Sequence, residues 1–133
     1  MSHLVILYSG NLDGQADMTA LCRHLADTLT AERDEAGAPV FPIGGVRVLA
    51  YPAQHFAVAD SERDYAFAYL NLRIRRGRSE AVQQRVGEAL LAAARATFEP
   101  IQTRRLVGVT LQIDVGDEVF DAKLNNIDAL FGP

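Results

Sequence analysis

Short apolar runs and two longer stretches of helical period divide this chain into a repeating pattern. HLVILYS (3–9) is a compact apolar, β-branched run of the kind that forms a buried strand. The turn-rich GNLDGQAD (10–17) follows, and Asp17 is placed to cap a helix. From 18 to about 33, Leu21, Leu25, Thr28 and Leu29 recur at helical spacing. The charged run AERDEAGAP (31–39) closes that stretch, with Gly37 and Pro39 as stop signals. GGVRVLAYPAQHFAV (44–58) reads as extended, and Pro52 within it implies an edge position or a bulge.

The second half repeats the order. In DYAFAYLNLRIR (64–75), Tyr65, Phe67, Tyr69, Asn71 and Arg73 alternate with Ala66, Ala68, Leu70, Leu72 and Ile74, the period of a strand. GRSEAVQQRVGEALLAAARATFE (77–99) is the clearest helix, with Ser79 as cap, Glu80 in the first turn, and a stripe of Val82, Val86, Leu90, Ala93 and Thr97/Phe98. RRLVGVTLQIDV (104–115) supplies a further strand, and NNIDALF (125–131) a short helix in the tail.

The chain therefore reads as two β-α-β halves in one domain over residues 1–133. A parallel pair in each half requires a helical crossover. The expected fold is α/β, a two-layer sandwich with two helices packed on one face of a mainly four-stranded sheet. Both faces of the 64–75 strand carry apolar side chains, and an apolar second face predicts an oligomer.

Composition narrows the function. A net charge of −4 opposes broad nucleic-acid or anionic-membrane binding. The single cysteine, Cys22, excludes an intrachain disulfide and reads as a helical core residue. His3, His24 and His55 lack metal-ligand spacing. With no secretory signal pattern and no apolar stretch near the roughly 20 residues of a membrane span, a cytoplasmic protein is expected.

Against that acidic background, RIRRGRSE (73–80) packs four arginines into six positions. Arg73 and Arg75 share a strand face, Arg76 and Arg78 fall in the turn into the helix, and Arg75 and Arg76 read as solvated charges. Arg78 adjoins the N-terminus of the helix, where free N–H groups and a guanidinium fork suit a carboxylate or phosphate. Arg47 follows Gly44-Gly45, where a sharp turn or a close ligand approach is possible. Taken singly, each arginine is also compatible with an ordinary surface position. Two of them near strand and turn ends point to a ligand with more than one carboxylate.

FPIGGVR (41–47), DYAFAYLNLRIRRGRS (64–79), VGEAL (86–90) and NNIDALF (125–131) together resemble the 5-carboxymethyl-2-hydroxymuconate isomerases of the tautomerase superfamily. The resemblance covers nearly the whole chain and is weakest in the first helix and over 51–62. It implies a homotrimer that isomerises an unsaturated tricarboxylate from homoprotocatechuate breakdown, with no metal or organic cofactor. It further implies that Arg47 and Arg78 contact substrate carboxylates and that 125–131 helps subunits pack. His3 matches the family's common histidine; His3, Tyr8, Tyr69 and Phe41 are expected around the pocket.

The family begins Met-Pro and uses the freed proline amine to carry a proton. This chain begins MSHLVIL, with Ser2 at the proline position. Removal of Met1 would give Ser2 a primary amine of pKa about 7.7–8.0. Retention would displace the amine by about 3.5 Å. Three readings follow: an isomerase working through the Ser2 amine or another base; a tautomerase-fold protein that binds carboxylates with little or no turnover; and a regulatory ligand-binding domain such as an ACT-like module, distinguished by interleaved antiparallel strands.

Overall fold

A computed structural model describes residues 2–132. The strands are β1 (Ser2–Ser9), β2 (Val46–Ala53), β3 (Tyr65–Ile74) and β4 (Leu106–Val115), and the helices α1 (Met18–Ala31) and α2 (Glu80–Gln102). The sheet runs β2-β1-β3-β4. β1 is parallel to β2, β3 is parallel to β4, and the two halves join through the antiparallel β1/β3 pair. These are the two expected parallel β-α-β units, and the interleaved antiparallel alternative is excluded.

Period two assigns the faces. Leu4, Ile6, Leu70 and Leu72 are wholly buried on the central strands, with Tyr8, Ala66, Ala68 and Ile74 beside them. They meet Leu21, Leu25 and Leu29 of α1 and Val82, Val86, Leu90, Ala93 and Phe98 of α2 in one apolar core. α1 covers the β2 side of the sheet, α2 the β4 side, and the helices touch each other. Burying each Leu, Ile, Val or Phe side chain among them stabilises the fold by about 1.5–3 kcal/mol.

Both helix starts follow the expected chemistry. Asp17 accepts a hydrogen bond from the Ala20 N–H (3.0 Å), and Ser79 Oγ accepts from the Val82 N–H (3.2 Å). Several boundaries differ from those expected. α1 stops at Ala31, short of Arg33. α2 runs past Glu99 through Pro100 to Gln102, its last turn held by the buried Ile101. β2 ends at Ala53 rather than near Val58, and it is an edge strand, where the missing N–H of Pro52 is tolerated.

The other sheet face is open and carries exposed Leu7, Leu49 and Tyr51. After β4 the chain runs through irregular residues 116–127 to a 3-10 turn at Asp128–Phe131. Among the described residues no helix is long and apolar enough to cross a membrane. Leu70→Ala, at the middle of β3, is expected to lower stability by about 2–5 kcal/mol, read from urea unfolding; an unchanged midpoint would contradict this account of the core.

Candidate active site

Strand directions bring the polar candidates to one end of the sheet. β1 starts there, β2 starts there, and the antiparallel β3 and its partner β4 finish there. The register places His3 opposite Arg47 on one side and opposite Arg73 on the other. Leu4 and Ile6 point into the core, so His3 must point to the open face. Its neighbour Ser2 points toward the helices: it is 1% exposed, and among the described residues its Oγ has no hydrogen-bond partner. Met1, whose removal or retention positions the first amine, lies outside the described residues.

A cavity of about 290 Å³ opens at this end, near the lower bound of roughly 300 Å³ for ligand clefts. It is lined by His3, Pro42, Gly45 and Arg47 and by the tail residues Lys123, Leu124, Asn125 and Asp128. Arg47 donates from Nη1 to the Gly45 carbonyl (3.1 Å), which fixes part of its guanidinium. It has no carboxylate partner among the described residues. The close packing at Gly44 is specific: a Cβ there would lie 2.9 Å from Asp128 Cα, so glycine lets the tail turn seat against Ile43–Gly45. Burial, and then the charge of Arg47, hold the His3 imidazole below its ordinary pKa of 6.5.

Arg78 is at the same sheet end but in a different hollow, lined by Glu35, Val40, Arg76, Ser79 and Val82. Its guanidinium donates to the carbonyls of Arg75 and Val40 (both 3.1 Å) and lies 5.0 Å from the centroid of the Phe41 ring. Burial and the nearby Arg75 disfavour its charged form, and it too has no carboxylate partner among the described residues. Within one chain, therefore, Arg47 and His3 are brought together and Arg78 is not brought to them. Two expected lining residues lie elsewhere, Tyr8 by strand parity and Phe41 by burial. Tyr8 is an odd number of positions from His3, faces the helices and donates to Asp13 Oδ1 at 2.7 Å. Phe41 is buried beneath Arg78. Tyr69 is on the open face but pairs with Leu7, four positions along β3 from Arg73.

A larger hollow of about 500 Å³ between α2 and β4 lacks comparable chemistry, since its Arg95 and Glu99 pair with each other at 3.4 Å. The sequence profile of the 5-carboxymethyl-2-hydroxymuconate isomerases matches residues 2–131. The chain belongs to that family. It is 29% identical to the Escherichia coli 5-carboxymethyl-2-hydroxymuconate Delta-isomerase over 131 residues, 98% of this chain and 99% of that one. A crystal structure of a 5-carboxymethyl-2-hydroxymuconate delta-isomerase superposes with a TM-score of 0.95 at 58% identity, covering 100% of this chain and 94% of that one. The isomerase from Deinococcus radiodurans R1 gives 0.88 at 32% identity, covering 99% and 95%. A fused 4-OT symmetric trimer, at 21% identity and a TM-score of 0.58 over 96% of this chain and 98% of that one, shares the fold.

For this family member, sequence reasoning missed the tail's contribution to the cavity and the place of Arg73 beside His3. Lys123 is a lone cation in an irregular segment, with no periodicity to say what it faces. Arg76 is exposed, as expected of a solvated charge, and Arg75 is partly exposed; both also pair with that segment, Arg75 with Asp121, and Arg76 Nη2 at 2.6 Å from Asp117 Oδ1. Arg78→Ala removes two hydrogen bonds to carbonyls and the contact with Phe41, and is expected to lower stability by about 1–3 kcal/mol in urea unfolding. An unchanged midpoint would show that these contacts do not hold the 40–41 segment.

Proposed function

We propose that the protein is an isomerase of 5-carboxymethyl-2-hydroxymuconate or a closely related unsaturated hydroxy-polycarboxylate. The observation that carries the proposal is the His3–Arg47 cavity at the sheet end of a chain belonging to this family. Arg47, half-buried and without a carboxylate partner among the described residues, presents a planar cationic fork suited to a substrate carboxylate. Lys123 adds a second cation in the same cavity. Arg78 supplies a further carboxylate contact in this reading, from its own hollow at the same sheet end. The proton carrier is the Ser2 amine or another base of the cavity.

The assembly belongs to the same proposal. The open sheet face, together with Val119, Phe120, Leu124 and Leu130, which are 77% exposed or more, leaves a large apolar surface for other copies to cover. A homotrimer is the state proposed, and sedimentation should give about three times the chain mass of 14.5 kDa; a monomer would remove this part.

Ketonisation of 2-hydroxymuconate analogues, followed by absorbance, tests the activity. The expected result is a rate above buffer background for protein of verified N-terminus. Arg47→Ala is expected to raise KM by roughly tenfold or more, the loss of a charge-assisted pair. Carboxylate binding by calorimetry without any turnover would instead identify a binding protein in which Ser2 has replaced the catalytic proline.

A further inference from the structure

The cavity contains a base that does not depend on the chain's first amine. We propose that His3 is the proton-transfer residue of this protein, moving a proton between the hydroxyl oxygen and the vinylogous carbon of a substrate held by Arg47. The inference rests on the isomerase reading above and names the group that performs it.

The side chains around the cavity leave few alternatives. Arg47 and Lys123 are cations that have no lone pair to offer near neutral pH. The Asp128 carboxylate belongs to the tail turn packed on Gly44. Ser2, the residue at the proline position, turns its hydroxyl into the helix layer, and its α-amine is the competing base that the pH test below separates from His3. Imidazole alone among these side chains both accepts and returns a proton near pH 7. His3 is also rigidly placed, on a central strand hydrogen-bonded on both sides, at the point where β2 and β3 each present an arginine.

The step balances without a co-reactant. A neutral ring nitrogen takes the hydroxyl proton, and the O–H electron pair becomes the new carbonyl π bond. The diene electrons move toward the far carbon, and the imidazolium returns the same proton there as a C–H bond. Negative charge spreads over the oxygen and the conjugated carbons in between, where Arg47 stabilises it. The groups facing His3 are Arg47 on β2, Arg73 on β3 with Asp114 beyond it on β4, and Lys123 and Asp128 from the tail. Cations predominate, so the resting imidazole is neutral and ready to act as base; the lowered pKa agrees.

The test compares unaltered protein with His3→Gln and His3→Ala, all with N-termini checked by intact mass and folding checked by circular dichroism. In unaltered protein kcat/KM should fall as pH drops through a value below 6.5, since the base is lost on protonation. His3→Gln should lose about 100-fold or more in kcat, general-base catalysis being worth about 10²–10⁴. Its affinity for a competing dicarboxylate should stay within about threefold, its acid limb should vanish, and free imidazole should restore turnover to His3→Ala. A merely structural histidine would show neither imidazole rescue nor loss of the acid limb. His3→Gln with kcat within about threefold of the unaltered protein overturns the inference alone. So does an acid limb near the pH of about 7.7–8.0 set by an α-amine that persists in that variant. Should the variants fail to fold, a limb at or above 6.5 in the unaltered protein overturns it and one below supports it. Absence of turnover by the unaltered protein overturns the isomerase reading and this inference together.

Discussion

The register of β1 is the constraint on which the site depends. β1 lies between β2 and β3, and its alternate residues Leu4 and Ile6 are wholly buried under the helices. A slip of one residue would turn both into the open face and put His3 into the core. Val5 and Leu7 would take their places in the core, so the slip costs the repacking of unlike side chains together with the burial of an unpaired imidazole. Core packing thus aims a polar side chain. The same register fixes Arg47 and Arg73 as the cross-strand neighbours of His3.

The arginines of residues 73–78 divide their work by position. Arg73 is still on the strand and faces the His3 side of the sheet. Arg75 and Arg76, just past the strand end, reach Asp121 and Asp117 of the tail. The Arg76 pair is exposed and contributes at most about 1 kcal/mol, but the two pairs share one consequence: they tether the segment that continues over the cavity as Lys123 to Asp128. Arg78 turns the other way and holds the carbonyl of Val40, next to the stretch that carries Pro42, Gly45 and Arg47. The dense positive charge of an acidic chain thereby shapes both walls of the sheet end, through the tail on one side and residues 40–47 on the other.

Much of this architecture was legible from residue pattern. The alternation in 64–75, the caps Asp17 and Ser79 and the helical stripes gave the elements, because each is a local signal. The paired β-α-β units followed from element order. The position of Pro52 on an edge strand followed from its missing donor. What periodicity could not supply was anything about residues 116–127, an irregular segment whose ion pairs, through Asp117 and Asp121, are with side chains some forty positions earlier. Parity placed His3 and Tyr8 on opposite faces, yet both were expected in one pocket; applying the strand period to β1 would have separated them. The division of Arg47 and Arg78 between two hollows was illegible for another reason: it depends on how residues 40–45 pass between them, and turns carry no period.

The site depends on His3 being held in a part-enclosed cavity beside Arg47. The most direct test is a pH titration of the His3 ring resonance by NMR, assigned with a His3 variant, with and without a saturating dicarboxylate. The account predicts a midpoint below 6.5 in the free protein, because burial and a neighbouring cation both disfavour imidazolium. It also predicts an upward shift when the dicarboxylate binds and its negative charge offsets Arg47. A midpoint at or above 6.5 that the dicarboxylate leaves unmoved would contradict it.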